Sequence, residues 1–213
     1  YIISKPWNGG GQYNYTLTLD SGTITISLLG ATAWGLASPV AISSGQWSHV
    51  AVTVSSGAAV KIYINGREAT SGTHTIVSWT PSSGNASVPL CIGTLYPYGD
   101  GWAGNTSFSF DGKIDDPRMY NRVLTSTEID ALYRSSETVI NQSQNNLLTE
   151  GLVGYWTFNG PYTISTIADV SGQGKHGYVE GNATSSAKVM GKVGQAMQFN
   201  FEHQVDLINN VNL

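Results

Sequence analysis

The sequence predicts an all-β protein, an antiparallel two-sheet β-sandwich with one short helix. Only 11% of the 213 residues are charged and 25 are glycine, a composition that favours short strands and many turns over helical bundles. Aromatic residues make up 10% of the chain and supply enough bulk for a packed core. Several stretches also alternate apolar and polar residues, which is the pattern of a strand with one buried face.

The predicted strands are separated by residues that favour turns. Residues 20–23 predict a hairpin, and Asn65-Gly66 predicts a tight turn because both residue types tolerate positive φ values. Pro117 lacks a backbone donor, so the strand containing it is expected at a sheet edge or at a bulge. The strands themselves are predicted at residues 15–19, 24–28, 47–54, 60–64, 107–120, 153–158, 196–199 and 204–208.

One stretch predicts a short helix. Thr125 can cap its first turn while Glu128 reaches back to the backbone of Thr125, and the following apolar residues share one face. In the core we expect Trp47 and Trp156, which lie in strand patterns, and Cys91, which lies in an apolar run. As the single cysteine of the chain, Cys91 cannot form an internal disulfide.

Charge and hydropathy exclude several classes of partner. The net charge is −4 and the ten lysines and arginines are scattered, so we expect neither nucleic acid nor an anionic membrane surface as partner. No apolar stretch is long enough for membrane insertion. The sequence has no start methionine or recognisable signal peptide, so we expect a processed or excised piece of a longer protein.

Two groups of motifs carry a family resemblance. The first group comprises QWSHVAVT at 46–53, IYING at 62–66, FDGKIDD at 110–116 and YNRVLTSTEI at 120–129. The second comprises GLVGYWTF at 151–158, DVSGQGKHG at 169–177 and GKVGQAMQF at 191–199. Together they resemble the laminin-G-like, concanavalin-A-like jelly-roll family, in which the motifs of the second group come first. The resemblance implies a jelly-roll arrangement of the sandwich.

This order suggests how the chain is divided. Residues 1–135 resemble the middle and C-terminal part of such a sandwich, and residues 151–213 resemble the N-terminal part. The polar residues 136–150 between them are expected to be a linker. The chain is therefore either the end of one domain followed by the beginning of the next, or one permuted sandwich. We expect residues 151–213 to complete a sandwich, within the chain or between chains, because a 63-residue piece buries too little surface alone.

The resemblance also implies a calcium site, since domains of this family often hold Ca²⁺ between an acidic loop and a late-strand acidic pair. Carboxylates and the carbonyls of a glycine-rich loop are suitable ligands for this cation. The alternative is that Asp169 and Asp115 cap turns by accepting backbone hydrogen bonds. The implied ligands are Asp169, Ser171, Gly172, Gly174, Asp115 and Asp116.

Aromatic and polar residues mixed in glycine-rich segments predict a carbohydrate surface. Sugar C–H faces stack on aromatic rings, while sugar hydroxyls bind amide and carboxylate groups. The alternative is that these rings pack under long loops or against a partner protein. The candidates are Tyr96, Tyr98, Asp100, Trp102 and Asn105 in one segment, and Trp7 and Tyr13 in another.

Catalysis is not expected. Glycosidases on related folds need two carboxylates facing one sugar, commonly in a Glu-x-Asp-x-x-Glu strand run, and the sequence contains no such run. Asp115 and Asp116 are adjacent, so on a strand their side chains would point to opposite faces. No Gly-x-Ser-x-Gly motif is present either.

These features predict a non-catalytic adhesion module, located outside the cell or on its surface, that binds a glycan or a cell-surface protein. The alternative is a structural subunit of an extracellular filament or sheath. Such a subunit would assemble head to tail by exchanging sandwich halves, so its partners would be copies of itself.

Overall fold

An eight-stranded antiparallel sheet forms one layer of the molecule. The computed structural model describes residues 1–6, 13–28, 36–70, 89–95, 109–135, 148–160, 166–181, 187–200 and 203–207. The strands of this sheet are β1 (Ile3–Pro6), β2 (Tyr13–Asp20), β3 (Thr23–Leu28), β4 (Leu36–Ala37), β8 (Leu90–Ile92), β12 (Thr166–Ile167), β13 (Gly177–Gly181) and β16 (His203–Leu207). Their order across the sheet is β12-β13-β16-β8-β1-β2-β3-β4.

Three smaller antiparallel sheets pack against the large one. The first contains β5 (Val50–Thr53), β6 (Lys61–Ile64) and β7 (Arg67–Glu68), and the second contains β10 (Arg118–Tyr120) and β11 (Leu152–Tyr155). The third contains β14 (Lys188–Met190), β15 (Gln195–Phe199) and β9 (Gly112–Ile114), in that order. With the single helix of the described ranges, α1 (Ser126–Ser135), these elements confirm the predicted all-β sandwich. The finer jelly-roll arrangement stays a prediction. No helix in the described ranges is long and apolar enough to cross a membrane.

One hydrophobic core lies between the large sheet and the smaller sheets. It contains Ile24 of β3 and Ile92 of β8 from the large sheet, and Ile62 of β6 from the opposite layer. Trp156 and Phe199 also belong to it and are fully buried. The expected burial of Trp156 and Cys91 is therefore confirmed.

Both predicted turns have the backbone that their residues favour. Ser21 and Gly22 join β2 to β3 with φ values of 51° and 84°, and Asn65 and Gly66 join β6 to β7 with 51° and 77°. Two successive positive φ values match the right-handed twist of the paired strands, which is why these residue types occupy the turns. Both hairpin predictions are confirmed.

The helix α1 begins with the predicted capping box. The Thr125 backbone N–H donates to Glu128 Oε2 at 2.7 Å, and the Glu128 N–H donates to Thr125 Oγ1 at 3.2 Å. Ile129 and Leu132 are buried in a second, smaller cluster with Tyr63 of β6. The helix therefore covers the face of β6 that points away from the main core.

Two predicted positions differ from the structure. Residues 107–120 are not one strand, because β9 pairs with β15, β10 pairs with β11, and the chain changes partner between them. At this break Asp116 has a φ of 52°, and Pro117 has no N–H to continue a ladder. Trp47 was expected in the core but is 38% exposed, because it precedes the first residue of β5 and the strand alternation does not reach it.

Three strand pairings join residues 151–213 to residues 1–135 within the chain. Strand β16 pairs with β8, β15 pairs with β9, and β11 pairs with β10. The pairing of β16 inserts a strand of the later segment beside β8, whose other neighbour is β1. The predicted division at 136–150 stays a prediction, since residues 136–147 lie outside the described ranges.

Replacing Gly93 with alanine should strongly destabilise the fold. A Cβ at this position would lie 2.1 Å from the ring of Phe199, which is fully buried, and the φ of 85° disfavours any side chain. Gly57→Ala is the matched control, because Gly57 has a similar φ of 75° but no atom within 4 Å of the new Cβ. We expect the control to lose about 1 kcal/mol in urea unfolding and Gly93→Ala to lose about 1–3 kcal/mol more. Equal losses would show that Phe199 is not packed against this backbone.

The capping carboxylate should make stability depend on pH in the acid range. The Arg122 guanidinium, bonded to Glu128 at 2.6 and 3.1 Å, holds the pKa of Glu128 down at about 2. A depressed carboxyl pKa stabilises the fold above its ordinary value of 4.5, and this stabilisation disappears as the pH falls towards 2. We expect Glu128→Gln to cost about 1 kcal/mol at pH 7 and nothing at pH 2, measured by urea unfolding. Asp130→Asn, which breaks an exposed ion pair on the same helix, should cost about 0.5 kcal/mol or less at pH 7.

Candidate functional site

The carboxylate of Asp169 closes the loop between β12 and β13. Its Oδ1 accepts the N–H groups of Tyr155 at 3.0 Å and Ser171 at 2.8 Å, and its Oδ2 accepts that of Lys175 at 2.8 Å. Gly172 and Gly174 have φ values of 87° and 68°, which let the loop turn back on itself around the carboxylate. The Asp169 residue is only 7% exposed, so these bonds form in a largely desolvated setting.

Two further hydrogen bonds fix this loop to the core. The Asp169 N–H donates to His176 Nδ1 at 3.2 Å, which is the structural role that a poor calcium ligand such as histidine can fill. The indole N–H of buried Trp156 donates to the Lys175 carbonyl at 2.7 Å. The loop is therefore tied to the centre of the hydrophobic core.

Burial and hydrogen bonding act in opposite directions on Asp169. Burial alone raises the pKa of its carboxyl, but hydrogen bonds from Ser171, Tyr155 and Lys175 outweigh burial and leave the pKa below its ordinary value. The carboxylate is consequently ionised at neutral pH. Its oxygens accept hydrogen bonds from backbone N–H groups of its own loop and of β11.

Asp115 fixes a turn in the other segment of the chain. Its Oδ2 accepts the N–H groups of Lys192 at 2.7 Å and Val193 at 2.9 Å, in the turn between β14 and β15. Gly191 allows this close approach, because a Cβ there would lie 2.5 Å from the same oxygen. Asp115 thus joins the end of β9 to a turn nearly eighty residues later.

Asp116 belongs to a polar cluster that also includes Arg118 and Tyr155. The Arg118 guanidinium lies 3.5 Å from Asp116 Oδ2 and donates to the Tyr155 hydroxyl at 2.8 Å. Its central carbon also lies 4.1 Å from the centre of the Tyr155 ring, a cation–π contact. Arg118 and Tyr155 are direct partners in the β10–β11 pair, so this cluster again spans both segments.

The two adjacent carboxyls sit in partly buried surroundings. Burial raises the pKa of Asp116 to about 6 against the attraction of Arg118, and burial also raises the pKa of Asp115 against its backbone hydrogen bonds. Both residues lie in the break after β9, so strand alternation does not determine the directions of their side chains. The Oδ1 atoms of both are buried and lack a hydrogen-bond partner among the described residues.

The predicted calcium ligands are only partly suited to that cation. The two buried Oδ1 atoms of Asp115 and Asp116 are hard oxygen ligands of the type that Ca²⁺ prefers. The remaining carboxylate oxygens of Asp169 and Asp115 Oδ2 already accept backbone N–H groups, as the turn-capping alternative expects. Within the described ranges no three His, Cys, Asp or Glu residues come together as a metal site. Two oxygens fall short of the six to eight that Ca²⁺ takes, so calcium stays a prediction.

The predicted sugar-binding residues fall mostly outside the described residues. This holds for Tyr96, Tyr98, Asp100, Trp102, Asn105 and Trp7. Tyr13 begins β2, and of this residue only the backbone is described. The segments that carry the rings leave the large sheet at opposite ends, because Ile92, the last residue of β8, pairs with Ile3, the first residue of β1. Residues 7–12 follow the far end of β1, which is also the end where β13 begins.

The ends of the segment 94–109 are held together where β8 ends. The Phe110 N–H donates to the Gly93 carbonyl at 2.7 Å, and the Gly93 N–H donates to the Ile2 carbonyl at 2.9 Å. The buried hydroxyl of Ser4 donates to the Thr94 carbonyl at 2.7 Å. These bonds hold Gly93, Thr94 and Phe110, at the two ends of the segment that contains Trp102, beside β1.

Two members of the polar cluster, Arg118 and Tyr155, were not predicted as site residues. Arg118 follows Asp116 by two residues, and Tyr155 lies in the GLVGYWTF motif, so each was visible in the sequence. Their contact depends on β10 pairing with β11, across more than thirty residues. Local spacing therefore carried no signal that would bring them together.

Comparison with known proteins supports the family resemblance. The family model described as "Concanavalin A-like lectin/glucanases superfamily" matches residues 1–130. A search of curated proteins gives no match. Among solved structures, the chain is similar to an S-layer domain-containing protein from Clostridium thermocellum ATCC 27405, with 28% identity and a TM-score of 0.36. That match covers 57% of this chain and 56% of the other chain, little more than half of each.

Removing the Asp169 carboxylate should destabilise the protein. Asp169→Ala leaves three backbone N–H groups without their acceptor, which should cost on the order of 3 kcal/mol in urea unfolding. Asp111→Ala, at an exposed position, is the control and should change stability by about 0.5 kcal/mol or less. A loss of similar size in both variants would contradict the loop-closing role of Asp169.

Proposed function

We propose that this chain, which belongs to the concanavalin A-like lectin/glucanases superfamily, is a non-catalytic glycan-binding module that acts outside the cell or on its surface. The observation that carries the proposal is the family match over residues 1–130, which covers more than half of the chain. A cell-surface protein is the alternative ligand.

The use made of the carboxylates supports a binding role over a glucanase role. A glycosidase needs two carboxyl groups that face one sugar, about 5–10 Å apart. In the part of the chain that the structure describes, Asp169 and Asp115 accept backbone N–H groups, and Glu128 binds Arg122. Glu68 and Asp130 form exposed ion pairs on β7 and α1. These carboxylates stabilise turns, the helix and the surface.

Asp116 requires separate consideration because its raised pKa of about 6 is a property also found in general acids. Here burial causes the rise, and the nearest charged groups are Arg118 and Asp115. Arg118 occupies Asp116 Oδ2, and Asp115 is engaged with the turn between β14 and β15. This arrangement favours a structural connection between the two segments over acid–base chemistry on a sugar.

The hydrogen bonds at the two ends of the segment 94–109 support this segment as the binding surface. Its two ends meet at the Phe110–Gly93 hydrogen bond, and Ser4 holds Thr94 against β1. A segment anchored in this way can present side chains beyond the end of β8 at a lower entropic cost than a free chain. Its sequence includes four aromatic residues and the polar groups of Asp100 and Asn105. Aromatic rings suit the C–H faces of sugars, and these polar groups suit their hydroxyls.

Substitution of one aromatic residue tests the proposal. We expect Trp102→Ala to weaken retention on a panel of immobilised neutral and acidic polysaccharides by about tenfold, since a stacked ring contributes about 1.4 kcal/mol. Trp47→Ala is the matched control, because Trp47 is a partly exposed tryptophan just before β5, in the opposite layer, and should not affect retention. Trp7→Ala tests the second predicted group of rings. The unfolding midpoint of each variant should match that of the parent protein.

The results separate the alternatives. Loss of retention in Trp7→Ala but not in Trp102→Ala would move the binding surface to the other end of the sheet. If the parent protein binds no polysaccharide of the panel, the glycan proposal fails and a protein ligand becomes the alternative to test.

A further inference from the structure

We propose that the surface of residues 1–135 that receives residues 151–213 also receives the same segment from a second copy of the chain. The partner is thus another copy of this protein, joined by exchange of the segment 151–213. This inference is independent of the proposed glycan binding.

The first argument is that the two segments share one hydrophobic core. Five large apolar side chains of the later segment are at most 1% exposed, and they pack in the same cluster as the strands of residues 1–135. These residues are Trp156, Phe158, Ile167, Met197 and Phe199. Exposing them would leave the core of residues 1–135 open, so the two segments need each other to bury these faces.

The second argument is that two strands of the earlier segment pair only with the later one in the described ranges. The single partner of β9 is β15, and the single partner of β10 is β11. The neighbour of β8 on one side is β16. Without residues 151–213, all three strands would present unpaired backbone groups, which readily accept a strand from another chain.

The third argument concerns the connection between the segments. Residues 136–150 are polar, and the end of this stretch is held on residues 120–122. The Tyr120 hydroxyl donates to the Leu148 carbonyl at 2.9 Å, and Arg122 Nε donates to the Glu150 carbonyl at 2.8 Å. A closed monomer and an exchanged assembly therefore contain the same core and the same pairings. They differ in whether residues 151–213 come from the same chain or from another copy.

The length of the connection therefore decides which form dominates. A connection that is long enough for closure gives residues 151–213 an effective concentration in the millimolar range, so at micromolar protein concentration the closed monomer should prevail and exchange should need a shorter connection. A closed monomer must join Ser135, at the end of α1, to Leu148, which packs against the small cluster under α1 and whose carbonyl accepts the Tyr120 hydroxyl. Deleting residues 137–146 leaves a link from Ser135 to Leu148 that reaches only about 11 Å, so it restricts closure far more than the full connection does.

The first experiment shortens this connection. We expect the variant lacking residues 137–146 to form dimers or longer head-to-tail assemblies by light scattering, with the far-ultraviolet circular dichroism of the parent. If the exchange is not reciprocal, each assembly keeps an unfilled sandwich at one end and can grow into a linear polymer, as the filament alternative requires. The matched control replaces residues 137–146 with ten glycine and serine residues, and it should remain monomeric.

The second experiment identifies the contact between chains. Gln198 of β15 and Lys113 of β9 are direct partners, so cysteines at these positions should form a disulfide. Chains with Lys113→Cys and chains with Gln198→Cys are mixed in the shortened background, with buried Cys91 left in place. Exchange should link the two different chains. Lys61→Cys mixed with Gln198→Cys is the control for random linkage, because Lys61 is exposed on β6 and pairs with Thr53.

Each outcome decides the proposal. Assembly of the shortened variant together with a Lys113–Gln198 cross-link well above the Lys61–Gln198 control supports exchange. A shortened variant that remains a folded monomer overturns the proposal. So does one that assembles with no more cross-linking than the control, because its chains would then associate through another surface.

Discussion

This fold depends on one interaction, the burial of apolar side chains of residues 1–135 against those of residues 151–213. At about 2 kcal/mol for each large side chain removed from water, the five from residues 151–213 account for on the order of 10 kcal/mol. An ordinary domain has a net stability of about 5–15 kcal/mol. The sandwich therefore cannot lose residues 151–213 and remain stable. For this stability the contact between the two segments matters more than their order along the chain.

The polar groups follow from this arrangement. Asp169 and Asp115 each close a turn through backbone N–H groups. Asp115 does so between the two segments, whereas Asp169 binds residues of the later segment. Tyr155 contributes its N–H to Asp169 and its hydroxyl to Arg118, so a single residue connects the loop after β12 to the break after β9. Desolvation makes unpaired groups costly at such places, which explains why the carboxylates are directed at the backbone.

The scaffold and the proposed binding surface are separate parts of the molecule. The core and the polar cluster hold the sheets together, whereas the segment 94–109 is attached to them at Gly93, Thr94 and Phe110. Binding can therefore vary with the residues of this segment while the sandwich is unchanged. The same scaffold presents the surface on which the proposed exchange between copies depends.

The sequence by itself determined the features that depend on neighbouring residues. The hairpin turn at Ser21-Gly22 and the capping box of Thr125 and Glu128 were predicted because their geometry is set within four residues. The family motifs likewise identified the fold, because each motif is a short stretch. For Asp169 the sequence left two roles open, that of a metal ligand and that of a turn cap.

Only the tertiary structure decided where distant segments meet. It divided residues 107–120 between two sheets, because β15 and β11 are different partners on either side of Asp116. It left Trp47 exposed, and it brought Arg118 against Tyr155. Such contacts join residues that are far apart along the chain. Burial of apolar surface favours them regardless of how many residues lie between the partners. Local patterns cannot encode them, so they became visible only once the two segments were packed together.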